Sequence, residues 1–308
     1  MATGHVPAPG HAGGAVNDPG LEARLRRHVH RLAGDIGERH FRRPRALAAA
    51  ADYVEAAWRD SGYAVSAQVY HAGGVPCANL EVARPGRTWP DRVLLIGAHY
   101  DTVPGSPGAD DNASGVAALL ELARLFAVVE PAMTVRFVAF VNEEPPHFRT
   151  RTQGSAVYAR AARARGDDIR LMVSLEMVGC YRDTPRSQGY PPPLNLFYPD
   201  RGNFLGLVSD LRSRRAMRRV ARAFRAASDF PLEHIATLRA VPGVSWSDHR
   251  AFWRCRYRAL MVTDTAFYRN PDYHTPRDTP DRLAYPAFAR ATAGLHGAFA
   301  AVAEEGLG

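Results

Sequence analysis

Residues 91–99 read DRVLLIGAH, and residues 108–115 read GADDNASG. The run 91–98 is almost continuously apolar, the pattern of a central strand buried on both faces. His99 and Asp101 follow it directly. The acids of GADDNASG come just before residues 113–129, where apolar side chains recur at helical spacing, so they fall at a helix N-terminus. A buried strand, a polar loop and a helix therefore follow one another, with ionisable groups gathered beyond the strand's carboxyl end.

The same grammar extends in both directions. Residues 134–141, TVRFVAFV, read as a second buried strand, with Glu143 and Glu144 just after it. Residues 169–175 read as a third, with Glu176 at its end. Further strands are expected at 66–71, 78–83, 194–198 and 260–263. Helices are expected at 21–34, 45–61, 154–165 and 284–302, with Gly62 closing the second as a C-terminal cap. Alternation of helix and strand without internal repeats argues for one α/β domain.

Composition narrows the function classes. The chain has 308 residues, 46% of them hydrophobic, and a net charge of +8. All 39 basic residues are arginine, a compositional bias of the source genome that weakens any inference of nucleic-acid binding. The densest basic stretch, RSRRAMRRVARAFR at 212–225, has Met217, Val220, Ala221 and Phe224 at helical spacing, so its arginines read as a solvated helix face. No apolar run approaches the ~20 residues of a membrane span. Residues 1–19 show no signal-peptide pattern and read as a flexible tail ahead of a domain at 20–308, with a cytoplasmic location expected. Cys77, Cys180 and Cys255 fit no paired motif and read as reduced structural residues.

In open α/β sheets, ligands collect beyond the carboxyl ends of strands. Three successive strands deliver His99, Asp101, Glu143, Glu144 and Glu176 to that edge. Imidazole mixed with several carboxylates suits zinc better than calcium. So many ligands exceed the needs of one tetrahedral ion, whereas two ions about 3.5–4 Å apart sharing a carboxylate would use them.

The set AHYDTVPGSPGADDNASG, NEE, SLEMVG, SDHRAF and YHTPRDTPDRL resembles the co-catalytic zinc aminopeptidase family, which includes bacterial leucine aminopeptidases, plasma glutamate carboxypeptidases and glutaminyl cyclases. The resemblance covers roughly residues 25–299. It implies a mixed central sheet flanked by helices on both faces, a peptide or small amide as substrate, and two Zn²⁺ ions per chain. It implies that Asp110 bridges both ions, that His99 and Glu176 complete one, and that Glu144 and His274 complete the other. Glu143 is implied as general base and acid, and Asp101 as the partner of the far ring nitrogen of His99. Tyr273 is a candidate donor to the developing oxyanion, and Asp248 and Asp278 are candidate supporting acids. A cis peptide is implied between Asp110 and Asp111.

Two departures stand out. Position 176 is Glu where many members have Asp, and PPHFRTRTQ at 145–153 is a longer link than usual between NEE and Gly154-Ser155. The aminopeptidase reading competes with a one-zinc glutaminyl cyclase, with a carboxypeptidase or deacylase, and with a non-enzymatic receptor domain. The NEE motif, and Tyr273 where cyclases typically carry Trp, favour a peptidase over a cyclase.

Overall fold

The computed structural model describes residues 18–306. Its eight strands are β1 (Ser66–Ala72), β2 (Val75–Arg84), β3 (Trp89–His99), β4 (Met133–Phe140), β5 (Asp168–Glu176), β6 (Leu205–Asp210), β7 (Leu232–Thr237) and β8 (Ala259–Thr263). They form one mixed sheet in the order β1-β2-β4-β3-β5-β8-β6-β7. The centre, β4-β3-β5-β8, is parallel, β1 and β2 run antiparallel at one edge, and β6 is antiparallel to β8.

The helices are α1 (Leu21–Val29), α2 (Pro44–Asp60), α3 (Gly115–Phe126), α4 (Gly154–Arg165), α5 (Arg214–Ala227), α6 (His249–Arg254) and α7 (Tyr285–Glu305). Side chains alternate between faces along a strand, so the apolar run of β3 serves two cores. Leu94, Ile96 and Ala98 pack with α1, α2, α3, α5 and α7. Val93 and Leu95 pack on the opposite face with Tyr158 and Ala162 of α4 and with Phe252 of α6. That two-sided burial is why β3 carries no polar alternation. On α5, Ala216, Met217, Val220, Ala221 and Phe224 are buried and the arginines lie outside the core.

The strand expected at 194–198 is absent. A 3-10 turn at Leu194–Leu196 stands there, with Leu196 and Phe197 exposed. Three prolines precede it, and proline cannot donate to a strand ladder. The short strands β6 and β7 and the helix α6 were not expected from the sequence.

Residues 1–17 of the expected tail lie outside the described residues. Asp18 is ion-paired with Arg24 and Arg124, which ties the chain to α1 and α3. No described helix is long and apolar enough to cross a membrane.

Candidate metal centre

The carboxyl ends of β3, β4 and β5 meet two loops, one before α3 and one at residues 270–279. His99 ends β3, Glu143 and Glu144 follow β4, and Glu176 ends β5. His99 Nε2 lies 3.4 Å from Asp111 Oδ1 and 3.4 Å from Glu176 Oε2. His274 Nε2 lies 3.0 Å from the other Asp111 oxygen, Oδ2, and 3.4 Å from Glu144 Oε1. Two ligand groups, His99–Asp111–Glu176 and Asp111–Glu144–His274, thus share one carboxylate.

These separations test the fit of a metal. With bonds of about 2.0–2.1 Å, neighbouring ligand atoms of a tetrahedral zinc stand about 3.3 Å apart. The observed 3.4 Å contacts match that edge and exceed ordinary hydrogen-bond lengths. The donors are imidazole and carboxylate, and Asp111, Glu143, Glu144 and Glu176 are all buried. Anionic groups crowded away from water need cations to stay ionised.

The metal-free electrostatics show the same need. Burial pushes Glu143 well above the carboxylate range and Glu144 up to about 8. Burial opposes charge on His99, yet Glu176, Asp101 and Asp111 raise it well above the usual imidazole value. Burial also works against Asp111, but His274 and His99 hold its carboxylate below the ordinary range.

A match to peptidase family M28 spans residues 79–298. The chain belongs to this family. Protein YfbL of Escherichia coli (strain K12) is 40% identical over 254 residues, covering 80% of this chain and 77% of that protein. A probable zinc metalloprotease of Pyricularia oryzae is 31% identical over 185 residues, covering 51% of this chain and 35% of that protein. BSAP, a zinc aminopeptidase from Bacillus subtilis, shares the fold with a TM-score of 0.72, covering 92% of this chain and 95% of that chain at 14% identity.

One residue of this M28 chain departs from the set expected above. Asp110 does not face the two histidines; Asp111 does. Asp110 Oδ1 accepts from the Gly179 amide at 3.0 Å and Oδ2 from Asn270 Nδ2 at 2.8 Å. Burial and the neighbouring Asp264 carboxylate push Asp110 well above the ordinary carboxylate range. The two adjacent acids point apart because the backbone turns between them. Asp278 holds that turn, its carboxylate accepting from the Asp110 amide at 2.9 Å and the Asp111 amide at 3.1 Å. The cis peptide likewise lies one residue later than expected, between Asp111 and Asn112.

Asp101 serves more than one partner. Its carbonyl stands 3.2 Å from His99 Nδ1 and its carboxylate 3.5 Å away. The same carboxylate accepts from the Glu143 amide at 3.0 Å and the Glu144 amide at 3.1 Å. Asp248 is fully buried with its carboxyl raised to about 7, by burial first. Tyr273 stacks on His274 with ring centroids 3.7 Å apart. Burial, then the surrounding carboxylates, keep its phenol protonated far above the usual range.

Several supporting residues were not legible beforehand. Arg39 is fully buried and spends its guanidinium on backbone carbonyls, including Tyr100 at 2.7 Å, Pro107 at 2.6 Å and Gly108 at 2.9 Å. It fixes the loop leading to Asp111 and stands as a positive charge behind the acids. Ser247 Oγ donates to Glu176 Oε2 at 2.6 Å. Gln153 lies 3.4 Å from Glu143 Oε1 through Nε2, while its Oε1 accepts from the Arg149 amide at 2.9 Å. Gln153 ends the 145–153 link, so that link reaches back to the candidate base. His147, in the same link, bonds Thr152 at 2.9 Å and packs edge-on against Phe41. No motif marks Arg39 or Gln153, and although Ser247 opens SDHRAF, its contact with Glu176 joins segments far apart in the chain.

Proposed function

We infer that this M28 metallopeptidase is a two-zinc aminopeptidase, releasing residues from the N-terminus of peptides. The observation that carries the reading is the position of Asp111, whose two oxygens face His99 and His274 separately and so join two ligand groups through one carboxylate. His99, Asp111 and Glu176 would hold one zinc, and Asp111, Glu144 and His274 the other. When bound, the ions supply Lewis acidity to polarise the scissile carbonyl and acidify water.

The chain's own residues do the rest. Glu143 takes a proton from the attacking water and delivers it to the departing amine. Gln153 and the Asp101-anchored backbone hold Glu143 at the required angle. Tyr273, kept protonated, donates to the oxygen that gains negative charge. The carboxylates near the ions receive the substrate's free amine. Two ligand groups joined by one carboxylate support the peptidase over the one-zinc cyclase.

The test is zinc analysis of the purified chain together with hydrolysis of aminoacyl p-nitroanilides. About two zinc ions per chain, with hydrolysis that chelators abolish and zinc restores, is the expected result. One tightly held zinc with pyroglutamate formation, or cleavage confined to C-terminal residues, would replace the reading.

A further inference from the structure

A cleft leaves the metal centre along the same edge of the sheet. It begins at Glu176 and Tyr273, and Trp246, Phe267, Tyr268 and Leu194 wall it. Strand register defines its floor. Glu176 on β5 opposes Thr263 on β8, Thr263 opposes Gly206 on β6, and Gly206 opposes Glu233 on β7. Directly opposed residues turn to the same face, so these four form one row. Gly206 brings no side chain to it. Three strand spacings separate the ends of the row, about 14 Å.

Glu233 also lines the cleft. It is half-buried, and that burial raises its pKa. Its side chain makes no ion pair or hydrogen bond among the described residues. Arg225, whose charge it feels, spends its guanidinium on the Leu232 carbonyl at 2.8 Å. Glu233 stands half-exposed in a cleft with largely apolar walls, where a bound cation would give its carboxylate a partner.

Length decides which cation fits. From α-amine to guanidinium an extended arginine spans roughly 8 Å. A contact of about 3 Å at each end brings the total to about 14 Å, comparable to the backbone length of the row. A leucine side chain, about 4 Å long, ends well short of Glu233.

We propose that Glu233 is the specificity residue of this site, selecting substrates whose N-terminal residue has a long apolar stem ending in a cation, arginine or lysine. The inference rests on the aminopeptidase reading above. The walls hold the stem, the open floor at Gly206 lets it pass, and Glu233 binds the tip.

The experiment compares kcat/KM for the p-nitroanilides of Arg, Lys, Leu and Phe, using the zinc-loaded full chain and its Glu233→Gln variant. Wild type is expected to favour Arg over Leu by about tenfold or more, and the variant to lose that advantage with Leu within about twofold. Binding of argininamide, read by quenching of tryptophan fluorescence from the cleft wall, should weaken in parallel. If the variant loses Leu activity too, Glu233→Asp is compared: weakened Arg with preserved Leu supports the assignment, and equal losses overturn it. Leu and Phe hydrolysed with no Glu233-dependent preference for Arg or Lys would overturn the inference and leave the aminopeptidase reading standing. No hydrolysis of any of the four would overturn both.

Discussion

Asp101 holds Glu143 by its backbone: one carboxylate oxygen accepts the Glu143 amide at 3.0 Å, and the other takes the next amide, that of Glu144. A single buried acid thereby sets the direction of the candidate base and of a candidate metal ligand, with His99 against its other side. Asp101→Ala is expected to lower zinc affinity or kcat/KM by about 10–100-fold while the chain stays folded. Circular dichroism alongside kinetics checks this, and wild-type activity in a folded variant would contradict it.

Glu143 and Asp111 should separate under mutation. Glu143→Ala is expected to keep its zinc and lose about 10²–10⁴ in kcat. Asp111→Ala should lose zinc outright, because both ligand groups need it. Elemental analysis of the two purified variants distinguishes them.

Asp110→Asn is the complementary experiment. Its carboxyl faces Gly179, Asn270 and Asp264. The variant should retain near wild-type zinc content and lose about 1–3 kcal/mol of stability through disturbed buried hydrogen bonds. Zinc loss equal to that of Asp111→Ala would restore Asp110 as a ligand.

Metal binding should release protons. In the metal-free site His274 is raised to about 10: partial burial works against its charge, but Asp111 and Glu144 outweigh it. Glu144 sits near 8 because of burial. Both must be deprotonated to ligate, so apparent zinc affinity should climb from pH 6 to pH 8. Calorimetry in buffers of different ionisation enthalpy reads the proton count, and a pH-independent affinity would contradict the assignment.

Away from the site, His296 on α7 is buried beside Phe126, and burial lowers its pKa to about 4, below the ordinary imidazole value of about 6.5. Between those values the unfolded chain binds a proton that the folded chain refuses. Stability therefore falls with pH from 6.5 towards 4, by up to about 1.4 kcal/mol per unit. His296→Leu should remove this slope and raise Tm more at pH 5 than at pH 8. Equal shifts at both pH values would exclude the mechanism.

The apolar run at 91–98 and its counterparts at 134–141 and 169–175 were legible because strands buried on both faces leave no polar alternation, and His99, Glu143, Glu144 and Glu176 were legible because they stand at the ends of those strands. β6 and β7 were not, since short strands near a sheet edge carry little pattern of their own.

The linear order of residues determined which groups reach the site's edge of the sheet. Only the folded backbone decided between Asp110 and Asp111, because neighbours on a turn point in opposite directions and composition is blind to direction. The roles of Arg39, Gln153 and Ser247, and the row ending at Glu233, likewise come from contacts or register between segments far apart in the chain.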